Sequence, residues 1–205
     1  MINSPIYKEQ VLGAEECDYL VWLAESQDEW DPAPGFAYDN RRLAFFTSLQ
    51  HHRYSSPALQ KLSMQIYRKS QDIVSRAIGG LAVNLDFMAL VRALPGDQPT
   101  PHNFDHPGAG RVGGCVIFLN DNYGGGSVNF VNTGQVIAPR AGAAYICGVK
   151  NEDLHVVDTT SGGARYAIVS TWTTNPMSEP LSTQVTKMRD YLAECCNEEQ
   201  PVVKP

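Results

Sequence analysis

A chain of 205 residues with a net charge of −6 fits one domain, long enough to bury a core without disulfide or metal staples. The acidic balance argues against the basic stripe of a nucleic-acid binder, and no run of about 18 apolar residues offers a membrane span. The five cysteines (Cys17, Cys115, Cys147, Cys195 and Cys196) form no CxxC pair, and MINSPIYKEQ lacks the basic and apolar segments of a signal peptide; free thiols and a cytoplasmic, reducing location are expected.

The first predicted element is a helix in EECDYLVWLAES, with acidic residues in its first turn and Cys17, Leu20, Val21, Leu23 and Ala24 at helical spacing. Residues 26–42 (SQDEWDPAPGFAYDNRR) are rich in Asp, Pro and Gly and read as a long loop. Ser56-Pro57 opens the longest helix, over 57–78; Leu59, Leu62, Ile66, Val74 and Ile78 share its core face, and Gly79-Gly80 stops it. From residue 81 the texture changes to short apolar or alternating runs separated by Gly, Pro, Asn and Asp. Eight strands are predicted, over 86–93, 99–106, 112–119, 127–131, 134–138, 143–147, 154–158 and 164–172. That pattern implies an antiparallel sandwich or jelly roll rather than a parallel sheet. Helical spacing returns over 181–196, with Val185, Met188 and Leu192 on one side. The chain thus divides into helical support (1–80), a β core (81–175) and a C-terminal helix with a tail (176–205), all within a single domain.

The chemistry-bearing residues fall in the β core. His102 and Asp105 lie where the predicted second strand ends, and His155 lies some fifty residues on, in the seventh. Two imidazoles and a carboxylate on one face suit a divalent iron and leave its other face open. Arg165, ten residues past His155, offers a planar fork for a carboxylate. Gly124-Gly125-Gly126 follows a strand but opens no helix, so it reads as a hairpin turn rather than a phosphate cradle.

Here the sequence resembles the prolyl-4-hydroxylase-like branch of the Fe(II)/2-oxoglutarate-dependent oxygenases, across residues 10–175 and most sharply over 90–172. VRALPGDQPTPH is similar to the stretch in which a glycine, here Gly96, precedes the first metal histidine by six residues. VIFLND with GGGSVNF, then VIAPRAGAAYIC, then His155 with GGARYAIVSTW follow in the order and spacing of that family. The resemblance implies an α+β protein built on a double-stranded β-helix, a jelly-roll barrel of the cupin type, with N-terminal helices and a short C-terminal helix. It implies that His102 and His155 bind Fe(II), that Arg165 binds the far carboxylate of 2-oxoglutarate, and that dioxygen is the second cosubstrate. The expected reaction is hydroxylation of a C–H bond in a prolyl residue, an amino acid or a small metabolite, with release of succinate and CO2.

The departures are specific. The family pairs His-x-Asp, whereas position 104 is Phe and the aspartate stands at 105; a one-residue bulge would be needed to bring Asp105 to the metal. Tyrosines of the family are replaced by Ala93, Pro99 and Phe118, the last at the position expected to support the cosubstrate carboxylate. Apolar residues Phe104, Val116 and Phe118 are expected to line the pocket, with Trp172 closing the last strand. The 26–48 segment, with Tyr38, Asp39, Arg41 and Arg42, is the expected substrate lid. Four rivals stand beside this reading, the mildest being a site in which Asp105 does not ligate and only two protein ligands remain. Another is a halogenase-like His106-Pro107-Gly108 site, disfavoured because it is four residues out of register. The others are a cupin-like binding module with a degenerate metal site, and an iron enzyme of the same barrel that does not use 2-oxoglutarate.

Overall fold

The computed structural model describes residues 5–8, 10–26, 42–44, 56–97, 100–106 and 108–198. Nine strands and three α-helices are formed among them. In chain order they are β1 (Ile6–Lys8), α1 (Ala14–Glu25), β2 (Arg42–Ala44), α2 (Pro57–Ala77), β3 (Asn84–Ala93), β4 (Arg111–Phe118), β5 (Val128–Phe130), β6 (Val136–Ile137), β7 (Ala144–Cys147), β8 (His155–Val157), β9 (Arg165–Thr173) and α3 (Glu179–Glu198). The strand pairings are all antiparallel: a six-stranded sheet in the order β1-β7-β4-β9-β3-β2 and a three-stranded sheet in the order β6-β5-β8.

Both N-terminal helices start where local chemistry says they should. The Ser56 hydroxyl accepts the Leu59 N–H at 3.1 Å and Pro57 fills the first helical position, which satisfies one orphan donor and removes another. At α1 the Gly13 N–H is taken by the Glu16 carboxylate at 2.8 Å. The α2 helix ends at Gly79 and Gly80, both at positive φ. Its face of Leu59, Leu62, Ile66 and Val74 packs with Cys17 and Leu20 of α1 onto the large sheet.

Strand alternation divides the core into two layers. On β9, Tyr166, Ile168 and Trp172 face the helices, while Ala167 and Val169 face the small sheet. On β4, Cys115 and Ile117 go to the helix side and Val116 and Phe118 to the inter-sheet side; on β7, Ile146 and Tyr145 divide the same way. All nine residues of β9 are buried, as expected for a strand covered on both faces. The inter-sheet layer is completed by Val128, Phe130, Ile137 and Val157 of the small sheet. Cys17, Cys115 and Cys147 are buried free thiols. Burial pushes the Cys17 thiol up to about 11 and Cys115 to about 12, so neither ionises near neutral pH.

Seven of the eight predicted strands form, with ends shifted by at most two residues. The exception is 99–106, where, among the described residues, only His102 makes a bridge, to His155. Pro101 has no N–H to offer a ladder, and the Asp105 N–H turns back to the Asn103 side-chain oxygen at 3.0 Å. The short strands β1 and β2 are not among the predicted strands. They pair with β7 and β3 at the two edges of the large sheet.

Candidate active site

The site is built where the two sheets face each other. His102 and His155 exchange reciprocal backbone N–H···O bonds, each 2.9 Å, which brings their ring centroids to 4.6 Å. Each ring is oriented through Nδ1. His155 Nδ1 donates to the Asp153 carbonyl at 2.8 Å and His102 Nδ1 to the Thr100 carbonyl at 3.0 Å. A carbonyl can only accept, so in both neutral rings the proton sits on Nδ1 and the lone pair on Nε2. Burial holds both imidazoles neutral: His102 lies below its usual range, and His155 falls to about 4, with the neighbouring His102 and Arg165 adding to the burial effect. Two neutral rings with Nε2 lone pairs are the protonation state that metal ligation requires.

Asp153 is the anchor beneath His155. Its carboxylate accepts the Gly148 N–H at 3.1 Å and the Lys150 N–H at 3.0 Å, which closes the loop before β8 and presents the carbonyl that orients the ring. Gly148 permits this approach, since a Cβ there would lie 2.7 Å from the Asp153 carboxylate.

Asp105 does not join the pair. Its side chain is exposed, and no cluster of three or more His, Cys, Asp or Glu suited to a metal occurs among the described residues. The expected bulge is not formed. Position 104 keeps the strand-like inward direction, so Phe104 takes the place beside the histidines, with its ring centroid 5.3 Å from that of His155 and 6.3 Å from that of His102. Gly114 on β4 makes room for it: a Cβ there would stand 2.7 Å from Phe104 Cγ. The segment is held by Arg111, which donates to the Phe104 carbonyl at 3.2 Å and pairs with Asp86 at 2.6 Å.

Arg165 enters the same layer from the start of β9. It is 3% exposed, its guanidinium lies 5.6 Å from the centre of the Phe118 ring, and its Nε has no hydrogen-bond partner. No carboxylate among the described residues pairs with it. A buried guanidinium without a counter-charge is costly to fold, and the chemistry that relieves the cost is a bound anion. Phe118 therefore stands where expected but supplies a ring face and no hydroxyl.

The remaining expectations divide. Trp172 is fully buried on the helix side, against Tyr67, with its Nε1 donating to the Ser170 hydroxyl at 3.0 Å. It is a core residue and not part of the pocket, because its position on β9 has the parity opposite to that of Arg165. Tyr38 and Arg41 lie outside the described residues, as does nearly all of the expected lid; Arg42 begins β2, where its backbone pairs with Val91. Sequence reasoning missed Tyr145, whose hydroxyl lies 3.5 Å from His155 Nε2, and Tyr123, whose buried hydroxyl has no hydrogen-bond partner. The signal was available: Tyr145 alternates inward in AAYIC, and a pocket that had lost the hydroxyl at Phe118 invited a search for others.

The donor set fits a small dicarboxylate through Arg165, and supplies two imidazole ligands for a divalent metal with an aromatic ring where a third, carboxylate, ligand was expected. No profile of a known protein family matches the sequence, and no curated protein matches it. Solved structures do share its fold, among them proteins described as prolyl hydroxylases and as a 2OG-Fe(II) oxygenase. The viral collagen prolyl hydroxylase of Paramecium Bursaria Chlorella virus-1, in its 2-oxoglutarate complex, matches with a TM-score of 0.63 and 14% identity, covering 84% of this chain and 97% of that one. A prolyl-4-hydroxylase of Pseudomonas putida gives 0.59 and 17%, over 84% and 94%. HygX of Streptomyces hygroscopicus, with nickel and 2-oxoglutarate bound, gives 0.58 and 13%, over 84% and 83%.

Proposed function

We propose that this chain is an Fe(II)/2-oxoglutarate-dependent oxygenase on a double-stranded β-helix, hydroxylating a C–H bond of a prolyl residue, an amino acid or a small metabolite. The observation that carries the reading is the uncompensated, buried Arg165 in the same layer as two neutral histidines whose rings nearly touch. The likeness of fold to enzymes described as prolyl hydroxylases and as binding 2-oxoglutarate supports it. Bound iron, with 2-oxoglutarate and dioxygen, would supply the oxidising chemistry that puts oxygen into the C–H bond, with succinate and CO2 as coproducts.

The chain's own residues have defined parts in this. His102 and His155 would hold the metal through Nε2, with the Thr100 and Asp153 carbonyls keeping both rings in that tautomer. Arg165 would neutralise the far carboxylate of the cosubstrate in a low-dielectric layer, where a unit charge is worth far more than in water. Val116, Phe118 and Phe130 exclude water from that layer. The Phe104 ring favours a second reading: a binding module that keeps the dicarboxylate pocket and has exchanged its metal carboxylate for an apolar wall.

One experiment separates them. Purified protein is mixed anaerobically with Fe(II) and 2-oxoglutarate, the weak visible band of the chelate is sought, and succinate is assayed after air is admitted. A band followed by succinate supports the oxygenase; tight 2-oxoglutarate binding with neither band nor succinate supports the binding module.

A further inference from the structure

The turn between β4 and β5 is more than a hairpin. Gly124 exchanges backbone hydrogen bonds with Ser161, at 2.8 and 2.9 Å, which pins the turn to the segment leading into β9. Gly126, at φ +71°, is overlain by a side chain: a Cβ there would stand 2.5 Å from Tyr123 Cε2 and 3.4 Å from Arg165 Cδ. Only a residue without a side chain lets the Tyr123 ring and the Arg165 stem lie together over this backbone. The Tyr123 hydroxyl is sealed from solvent and its O–H has no acceptor among the described residues, and Arg165 Nε has no hydrogen-bond partner there. Burial raises the Tyr123 phenol while the Arg165 charge pulls it down, so the two are within electrostatic reach. Two buried, unsatisfied donors side by side are rare, because each carries a desolvation cost.

We propose that Tyr123 is a ligand-binding residue whose hydroxyl donates, beside the Arg165 guanidinium, to the carboxylate of a small dicarboxylate, replacing from the β4–β5 turn the hydroxyl that Phe118 lacks. This rests on the reading of the pocket as a 2-oxoglutarate site. The glycine run, which resembled a plain turn in the sequence, is on this account the platform that brings the phenol to the guanidinium.

The test is calorimetric titration of 2-oxoglutarate into wild-type protein and Tyr123→Phe, each loaded with Mn(II) as a redox-quiet metal and each again in EDTA, with melting curves of the ligand-free proteins alongside. The expected result is weaker binding to Tyr123→Phe by roughly 10- to 100-fold, the equivalent of one hydrogen bond to a charged group. Its ligand-free melting temperature should be unchanged or raised, since the O–H removed has no acceptor. Partial recovery of affinity in Tyr123→Phe/Phe118→Tyr would add support. Wild-type affinity in Tyr123→Phe overturns the inference and leaves the 2-oxoglutarate reading standing. A lower melting temperature with unaltered affinity assigns Tyr123 a structural role and also overturns it. Failure of wild-type protein to bind 2-oxoglutarate with or without Mn(II) overturns both.

Discussion

Phe104→Asp is the substitution that most directly probes the histidine pair. The Phe104 ring is 3% exposed and fills the space beside His155. Truncating such a ring costs about 3–5 kcal/mol, and the carboxylate put in its place would be buried between two neutral imidazoles, which adds a desolvation cost. Against a total stability of roughly 5–15 kcal/mol, the metal-free variant should be marginal, melting about 10–15 °C below wild type at roughly 2–4 °C per kcal/mol for a chain of this size. Divalent metal changes the balance. Two imidazoles and a carboxylate form the complete set that hard and borderline metals favour. A metal at about 1,000 times its dissociation constant stabilises the folded state by roughly 4 kcal/mol, enough to restore most of the loss. Scanning calorimetry of both proteins, with and without Mn(II), measures this directly. The expected shift on adding Mn(II) is about 10 °C for Phe104→Asp and only a few degrees for wild type. An equal or larger shift in wild type would show that a carboxylate already reaches the metal, and would refute the assignment of that place to Phe104.

Three further outcomes are expected. Gly114→Ala should destabilise by about 1–3 kcal/mol, as overpacking does, because its Cβ meets the Phe104 ring; adding Phe104→Ala should recover part of that loss in a double-mutant cycle measured by urea denaturation. Arg165→Met should abolish 2-oxoglutarate binding by calorimetry yet leave the ligand-free protein as stable as wild type or more so, since it removes a buried charge that has no carboxylate partner among the described residues. His155 is held at about 4, below its ordinary 6.5, chiefly by burial. A base whose folded value is depressed stabilises the fold above its unfolded value, so metal-free protein should lose up to about 3 kcal/mol as pH falls from 6.5 to 4. A pH series of denaturation midpoints in His155→Gln should show a correspondingly shallower acid loss.

The sequence disclosed the elements with strong periodicity or punctuation. The α2 helix, with its Ser56 cap and Gly79-Gly80 stop, could be read directly, as could the two histidines and the arginine ten residues beyond the second. What escaped it was direction. Whether 102–105 bulges or keeps strand parity is decided by the local Asn103 turn together with the His102–His155 bridge, a long-range contact that no local pattern encodes. Trp172 and Arg165 share a strand, and a parity difference of one step separates a core residue from a pocket residue. Tyr123 was hidden for a similar reason: its position depends on a turn pinned to residues nearly forty positions away, at Ser161.

The three buried thiols form a set of clocks. Cys17 reports on the helix layer, Cys115 on the contact between helices and large sheet, and Cys147 on the layer that holds the histidines. Since a protonated, sealed thiol reacts only when its surroundings open, the alkylation rates of the three would resolve the breathing of each layer separately. Ligand in the pocket should slow Cys147 first, which makes this cysteine a label-based sensor of occupancy that needs no knowledge of the substrate.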